Sequence, residues 1–178
     1  VNGYESISGQ INVELQKPNA DIPLFLNSYA SSMGRLELNA HYNTKISDKL
    51  SSGLYFHVNS NNQLNDGNSD GFLDSPLSEQ INVLNRWQYT DLEKGMVAFV
   101  NVRYLTDEKQ SGEVDFNPGL DRLTTNYWGS EVNTERFESS LKIGYVNPDI
   151  TYQTLGVQLA YSDHDQNSYF GLNEYDIS

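Results

Sequence analysis

The residues best suited to chemistry lie in Asp66-Gly67-Asn68-Ser69-Asp70-Gly71-Phe72-Leu73-Asp74. Side-chain oxygens recur at Asp66, Asn68, Asp70 and Asp74, positions 1, 3, 5 and 9. Gly71 stands at position 6, where a calcium loop turns sharply, and Phe72 at position 7 offers a backbone carbonyl. A hard cation needs such a set of hard oxygens. The pattern departs at position 12, which should be a bidentate acid but is Leu77; the nearest acid is Glu79. The competing reading is a turn-rich, solvated loop. No cofactor is required by the sequence, and calcium is the one candidate. A second cluster, Asp163-His164-Asp165, offers a polar contact for a ligand such as a metal chelate, or is a solvated charge group. It reads as the start of a long loop.

Nothing else resembles a reactive centre. There is no Gly-x-Ser-x-Gly elbow, and the three His have no zinc-like spacing. The expectation is a protein that is not an enzyme. The net charge of −13 argues against nucleic acid, whose phosphates need a cationic surface. With no cysteine there is no disulfide framework and no thiolate metal site. No run of about 18 apolar residues suggests a membrane-crossing helix. The chain has no initiating Met and reads as part of a longer protein, so the lack of a signal peptide carries no weight.

The elements that must position these residues are strands. Only 37% of the 178 residues are apolar, and 12 are Tyr, which suits a sheet with one wet face. After the breaks at Pro18 and Pro23, seven segments alternate with period two. Leu36, Leu38, Ala40 and Tyr42 oppose Glu37, Asn39, His41 and Asn43. Leu54, Phe56 and Val58 oppose Tyr55, His57 and Asn59. Later segments place Val100, Val102, Leu141, Ile143, Val157 and Leu159 on the same kind of apolar face. Leu84 and Asn85 break the alternation, and Phe99 is an apolar exception on the polar side. Pairing about Ser47 sets Glu37 opposite His57.

The strands run to roughly ten to fourteen residues, against a usual mode of about five or six. A tilted strand needs about nine to eleven to cross a bilayer. Connections near residues 47, 93 and 148 are short, and those over 60–79 and 107–134 are long; on that second side only the reversal at Met33-Gly34 is short. Aromatics gather on the apolar face beside the short turns: Tyr42, Trp87, Tyr89, Tyr145 and Tyr152. Short turns on one side, long loops on the other and an aromatic girdle form the signature of an antiparallel transmembrane β-barrel. A secreted soluble β-sandwich binding module and a small closed outer-membrane barrel are the alternatives.

The opening, Gly3-Tyr4-Glu5-Ser6-Ile7-Ser8-Gly9-Gln10-Ile11-Asn12-Val13-Glu14, resembles the end of the plug domain in TonB-dependent outer-membrane receptors. That plug closes with Gly, a small residue, Ile, then Gly-x-Ile-Asn-Val. The matching positions are Gly3, Ser6, Ile7, Gly9, Ile11, Asn12 and Val13. Residues 65–89 are similar to the second external loop and fourth strand of receptors of the ferric-siderophore and colicin type. The resemblance implies residues 1–17 as plug end, 18–23 as linker and 24–178 as the first strands of a plugged 22-stranded barrel. It also implies the outer membrane of a Gram-negative bacterium, contact with its lipid, and a small-molecule nutrient such as a ferric siderophore. The TonB energy-coupling protein would engage an upstream segment.

Overall fold

The structure, a computed structural model, describes residues 17–20, 22–150 and 152–178. The plug-junction positions Gly3, Gly9, Ile11, Asn12 and Val13 lie outside the described residues. The fold is all-β. Strands β1 (Leu24–Ala30), β2 (Arg35–Lys45), β3 (Leu50–Asn61), β4 (Leu77–Asp91), β5 (Met96–Gly112), β6 (Gly129–Val146), β7 (Thr154–Phe170) and β8 (Asn173–Ile177) form one antiparallel sheet in sequence order. The sheet is open, with β1 and β8 as its edges. Its one helix among the described residues is a single turn, α1 (Pro118–Asp121). No helix among them is long and apolar enough to cross a membrane.

Each short turn at one end is fixed by its own polar side chain. Ser47 accepts from the Leu50 amide at 3.2 Å, Asp91 from the Lys94 amide at 3.1 Å, and Asn147 from the Asp149 amide at 3.0 Å. Such short side chains supply the turn with the acceptor it lacks. The β2–β3 register pairs Lys45 with Ser51 and Asn39 with His57. His57 therefore faces Asn39 rather than Glu37, because the five residues 46–50 enclosed by the Lys45–Ser51 pair centre the hairpin on Asp48, one residue beyond Ser47.

Registers carry one face through the whole sheet. Leu38 and Val58 pair, as do Phe56 and Val83, and Val100 sits between Trp87 and Leu141, which continues to Leu159. This face is apolar and open: Leu36, Leu54, Val100, Val102, Val157 and Leu159 are all exposed. The opposite face carries Asn39, His57, Asn82, Asn101, Arg103, Glu138 and Ser162, and it is hollow. One cavity of about 770 Å³ is lined by residues from Phe25 on β1 to Ser162 on β7, so the sheet curls around its polar side.

β4 runs without a bulge, which settles the two irregular positions. Leu84 points into the hollow, and Asn85 stands on the apolar face. There Asn85 donates to Gly53 O at 3.2 Å and accepts from the Trp87 indole, so its amide is not left bare. Phe99, the apolar exception, lies under the Arg86 guanidinium, 4.9 Å from ring to charge.

The strands run further than alternation suggests. β5, β6 and β7 span 17, 18 and 17 residues. The expected loops over 60–79 and 107–134 shrink to 62–76 and 113–128, and the expected loop after residue 162 is strand. Asp163, His164 and Asp165 lie inside β7, whose hairpin to β8 needs only Gly171 and Leu172. Both faces are polar in these extensions, so period-two hydrophobicity disappears while the backbone ladder continues.

Candidate functional site

The hollow is built from strand positions that alternate inward. Its centre holds an ion pair, Arg103 Nη1 to Glu138 Oε2 at 3.1 Å, and Arg103 Nε also donates to Asn82 Oδ1 at 3.0 Å. Arg136 joins Glu138 from the next position on β6, at 2.7 Å. One carboxylate thus serves two guanidiniums. His57 donates through Nδ1 to Asn39 Oδ1 at 2.6 Å and accepts at Nε2 from Asn59 at 3.1 Å. Both ring nitrogens are engaged, which suits a fixed polar wall residue rather than a metal ligand. His41 and Asn43 both donate to the Ile22 carbonyl, at 3.2 and 3.0 Å. The chain leading into β1 is thereby held on the polar side of the sheet.

At the long-loop end, the two loops are joined into one cap. Leu73 donates to Gly112 O and Val114 to Gly71 O, both at 2.9 Å, and Phe72 bridges to Glu113. Phe72 and Trp128 rings meet at 6.4 Å. Beneath them Phe116 (6% exposed) and Tyr169 (1% exposed) form the apolar core among the described residues, their rings 6.3 Å apart. The Phe116 ring lies against Gly129, where a Cβ would fall 2.3 Å from two of its carbons. Arg122 covers Tyr169 at 4.8 Å and pairs with Glu174. Burial pushes the Tyr169 phenol well above its ordinary pKa. α1 is nucleated by Asn117, which accepts from Gly119 N at 2.9 Å, with Pro118 following it.

The acidic loop lies within this cap. Asp66 accepts from the Asp70 and Gly71 amides at 3.1 and 2.9 Å. Asn68 accepts from Asp70 N at 3.1 Å, Asp70 from Phe72 N at 2.9 Å, and Asp74 from Gly67 N at 2.7 Å. Gly71 takes the expected left-handed turn, φ +85°. The oxygens of Asp66, Asn68, Asp70 and Asp74 thus cap their own loop. Among the described residues, no group of three or more His, Cys, Asp or Glu side chains is gathered as a metal-holding set.

Asp163, His164 and Asp165 are not brought together. On β7 they pair with Phe137, Arg136 and Glu135 respectively, so His164 turns to the hollow and both aspartates to the opposite face. At the short-turn end, Lys49 Nζ donates to Asp91 Oδ2 at 2.8 Å, and Tyr89 donates to the same oxygen at 3.1 Å. The Asp91 hydrogen bond holds the Lys49 ammonium above its ordinary pKa, against the opposing effect of burial.

Sequence reasoning missed the Arg103–Glu138–Arg136 group and the aromatic cap. The first had a signal: charged residues at the inward phase of two neighbouring strands. The second had none, because Phe116 and Trp128 lie in non-periodic loop sequence. No family model matches this chain, and no curated protein or solved structure matches it either.

Proposed function

We propose that this chain is a stretch of the wall of an outer-membrane β-barrel. The observation that carries the reading is inverted amphipathicity. Water-soluble sheets bury their apolar face and expose the polar one. Here Leu, Val and aromatic side chains stand exposed on the outer face, while Asn, His, Arg and Glu line the hollow. Among the described residues no second layer covers the apolar face. Lipid is the solvent that suits it. On β5 the apolar stretch runs Met96, Ala98, Val100, Val102 and Tyr104, the nine residues a tilted strand needs. Above it the same face turns acidic, with Glu108, Glu135 and Asp165.

The whole protein, in this reading, is a TonB-dependent receptor. It takes up a scarce nutrient such as a ferric siderophore, and no bond in the cargo breaks. Residues 3–14 support that type through their resemblance to a plug end. The cap of knitted loops would face outward, and the TonB protein would pull on an upstream segment from the periplasm. The test is fractionation of the full-length protein. It should sediment with outer membranes, require detergent, and migrate faster on gels before boiling than after. Recovery as a soluble monomer would remove the reading and favour a secreted module.

A further inference from the structure

The long-loop end carries exposed rings that lipid does not account for. Phe72, Trp128, Phe170 and Tyr175 are each half-exposed. Glu113, which stands among them, is nine residues past Tyr104, about 30 Å of extended chain. This surface therefore lies well clear of the apolar band. Contiguous exposed rings in such a place mark an interaction surface.

The rings form one strip. Phe72 and Trp128 meet at 6.4 Å, and Phe170 and Tyr175 meet edge-on at 6.3 Å. The Trp128 indole joins the two pairs by lying against the β7–β8 turn, where a Cβ on Gly171 would fall 2.9 Å from Nε1. Gly171 is left-handed there, φ +58°, so glycine suits both the turn and the seat of the indole.

One carboxylate stands within the strip. Phe72 bridges to Glu113, and Glu113 N donates to Trp128 O at 2.9 Å, so Glu113 occupies the transverse row between the two rings. Its Oε1 accepts from the Trp128 amide at 2.7 Å, which pins the side chain and leaves Oε2 for a ligand. The surrounding charge is one-sided. Segments 62–76, 113–128 and 171–178 hold eight acids against a single cation, Arg122, and Arg122 is paired with Glu174. An anionic ligand meets repulsion here, and a cation meets an attractive field. The ring faces favour a cation as well, through their quadrupole.

We infer that Phe72, Trp128 and Glu113 form a binding site for an organic ammonium ion. Its charged head sits on the two rings and against the Glu113 carboxylate, and Phe170 and Tyr175 take an apolar body. A metal cation is the poorer occupant, because it needs several oxygen ligands and the strip offers one carboxylate. An alkylated ammonium needs no such set, since its methyl groups bring the charge to ring faces directly. The site stands on the cap alone and does not depend on which solvent meets the apolar face.

Saturation-transfer NMR on the full-length protein tests the inference with two probes of similar size, benzyltrimethylammonium and the anion phenylmethanesulfonate. The ammonium should receive saturation and the sulfonate should not. Trp128→Leu, Phe72→Leu and Glu113→Gln should each weaken ammonium binding about two- to fivefold. Gln keeps the acceptor that the Trp128 amide uses, so Glu113→Gln removes charge and spares the fold. Phe137→Leu, at an exposed ring on the apolar face, should leave binding unchanged. Should a ring variant fail to fold, the comparison of the two probes on the unaltered protein still decides. Equal saturation of both probes would overturn the inference, and so would an ammonium signal untouched by Glu113→Gln and Trp128→Leu. A protein recovered soluble would remove the barrel reading and leave this site to stand or fall on the probes.

Discussion

Placing Arg at residue 100 separates lipid from water as the solvent of the apolar face. Val100 is the middle residue of the outward series Met96 to Tyr104 and lies in one row with Trp87, Leu141 and Leu159. Four residues separate it from either end, about 13 Å along the strand. A guanidinium there cannot reach either interface without strain. Val100→Arg should therefore cost about 2–4 kcal/mol in a bilayer, and Met96→Arg or Tyr104→Arg about 0–1 kcal/mol. If the face met water, the answer would differ. Val100 is 39% exposed, and a polar change at an exposed site away from special features stays within about 0.5 kcal/mol. The assay is urea unfolding of full-length protein refolded into phosphatidylcholine vesicles, with the free energy taken from the midpoint and slope. Asn101→Arg, on the hollow face, is the control and should be mild. Equal effects at 100 and 101, or no dependence on depth from 96 to 104, would refute the assignment.

Other consequences concern the two ends of the sheet. Phe116→Ala should destabilise the cap by about 3–5 kcal/mol, seen as faster amide exchange and proteolysis over residues 113–128, with insertion unaffected; unaltered protection would mean Phe116 is not the core of the cap. Asp66→Ala should make residues 62–76 more protease-sensitive to the same degree with calcium or with chelator, because Asp66 serves backbone amides; an effect seen only with calcium would favour a metal loop instead. The raised pKa of Lys49 means that its contact with Asp91 contributes fully below the unfolded lysine value, about 10.4, and is lost as pH rises through the higher folded value. Lys49→Met should remove that alkaline step from an unfolding-versus-pH curve, and its persistence would place the step elsewhere.

What could be read from the sequence followed the solvent. Where one face is apolar and the other polar, as from Leu36 to Asn43 or Met96 to Tyr104, period two fixed both the strand and its phase, and the structure keeps each of those faces. Where both faces are largely polar, as in residues 107–112, 129–134 and 163–168, the ladder leaves no hydrophobic trace, so alternation reads strand as loop. The Asp163-His164-Asp165 group dissolved for that reason: adjacent residues on a strand point apart. The acidic loop was legible as a turn because Asp, Asn and Gly act locally, and its backbone bonds account for their spacing. The Arg103–Glu138–Arg136 group depends on the register of β5 against β6 across a long connection, and a two-residue error like the one that sets Glu37 against His57 suffices to hide it. The cap core depends on contacts between loops 62–76 and 113–128, which no local pattern encodes.

The central claim is that the apolar face meets lipid and the polar face does not. The chain has no cysteine, so single cysteines can be placed at each position from 99 to 104 in the full-length protein and labelled with an environment-sensitive fluorophore in vesicles. Quenching by lipid-borne nitroxide should alternate, strong at 100, 102 and 104 and weak at 99, 101 and 103. Aqueous quenching at 100 and 102 matching that at 101 and 103, with no lipid quenching at any of the six, would contradict the account.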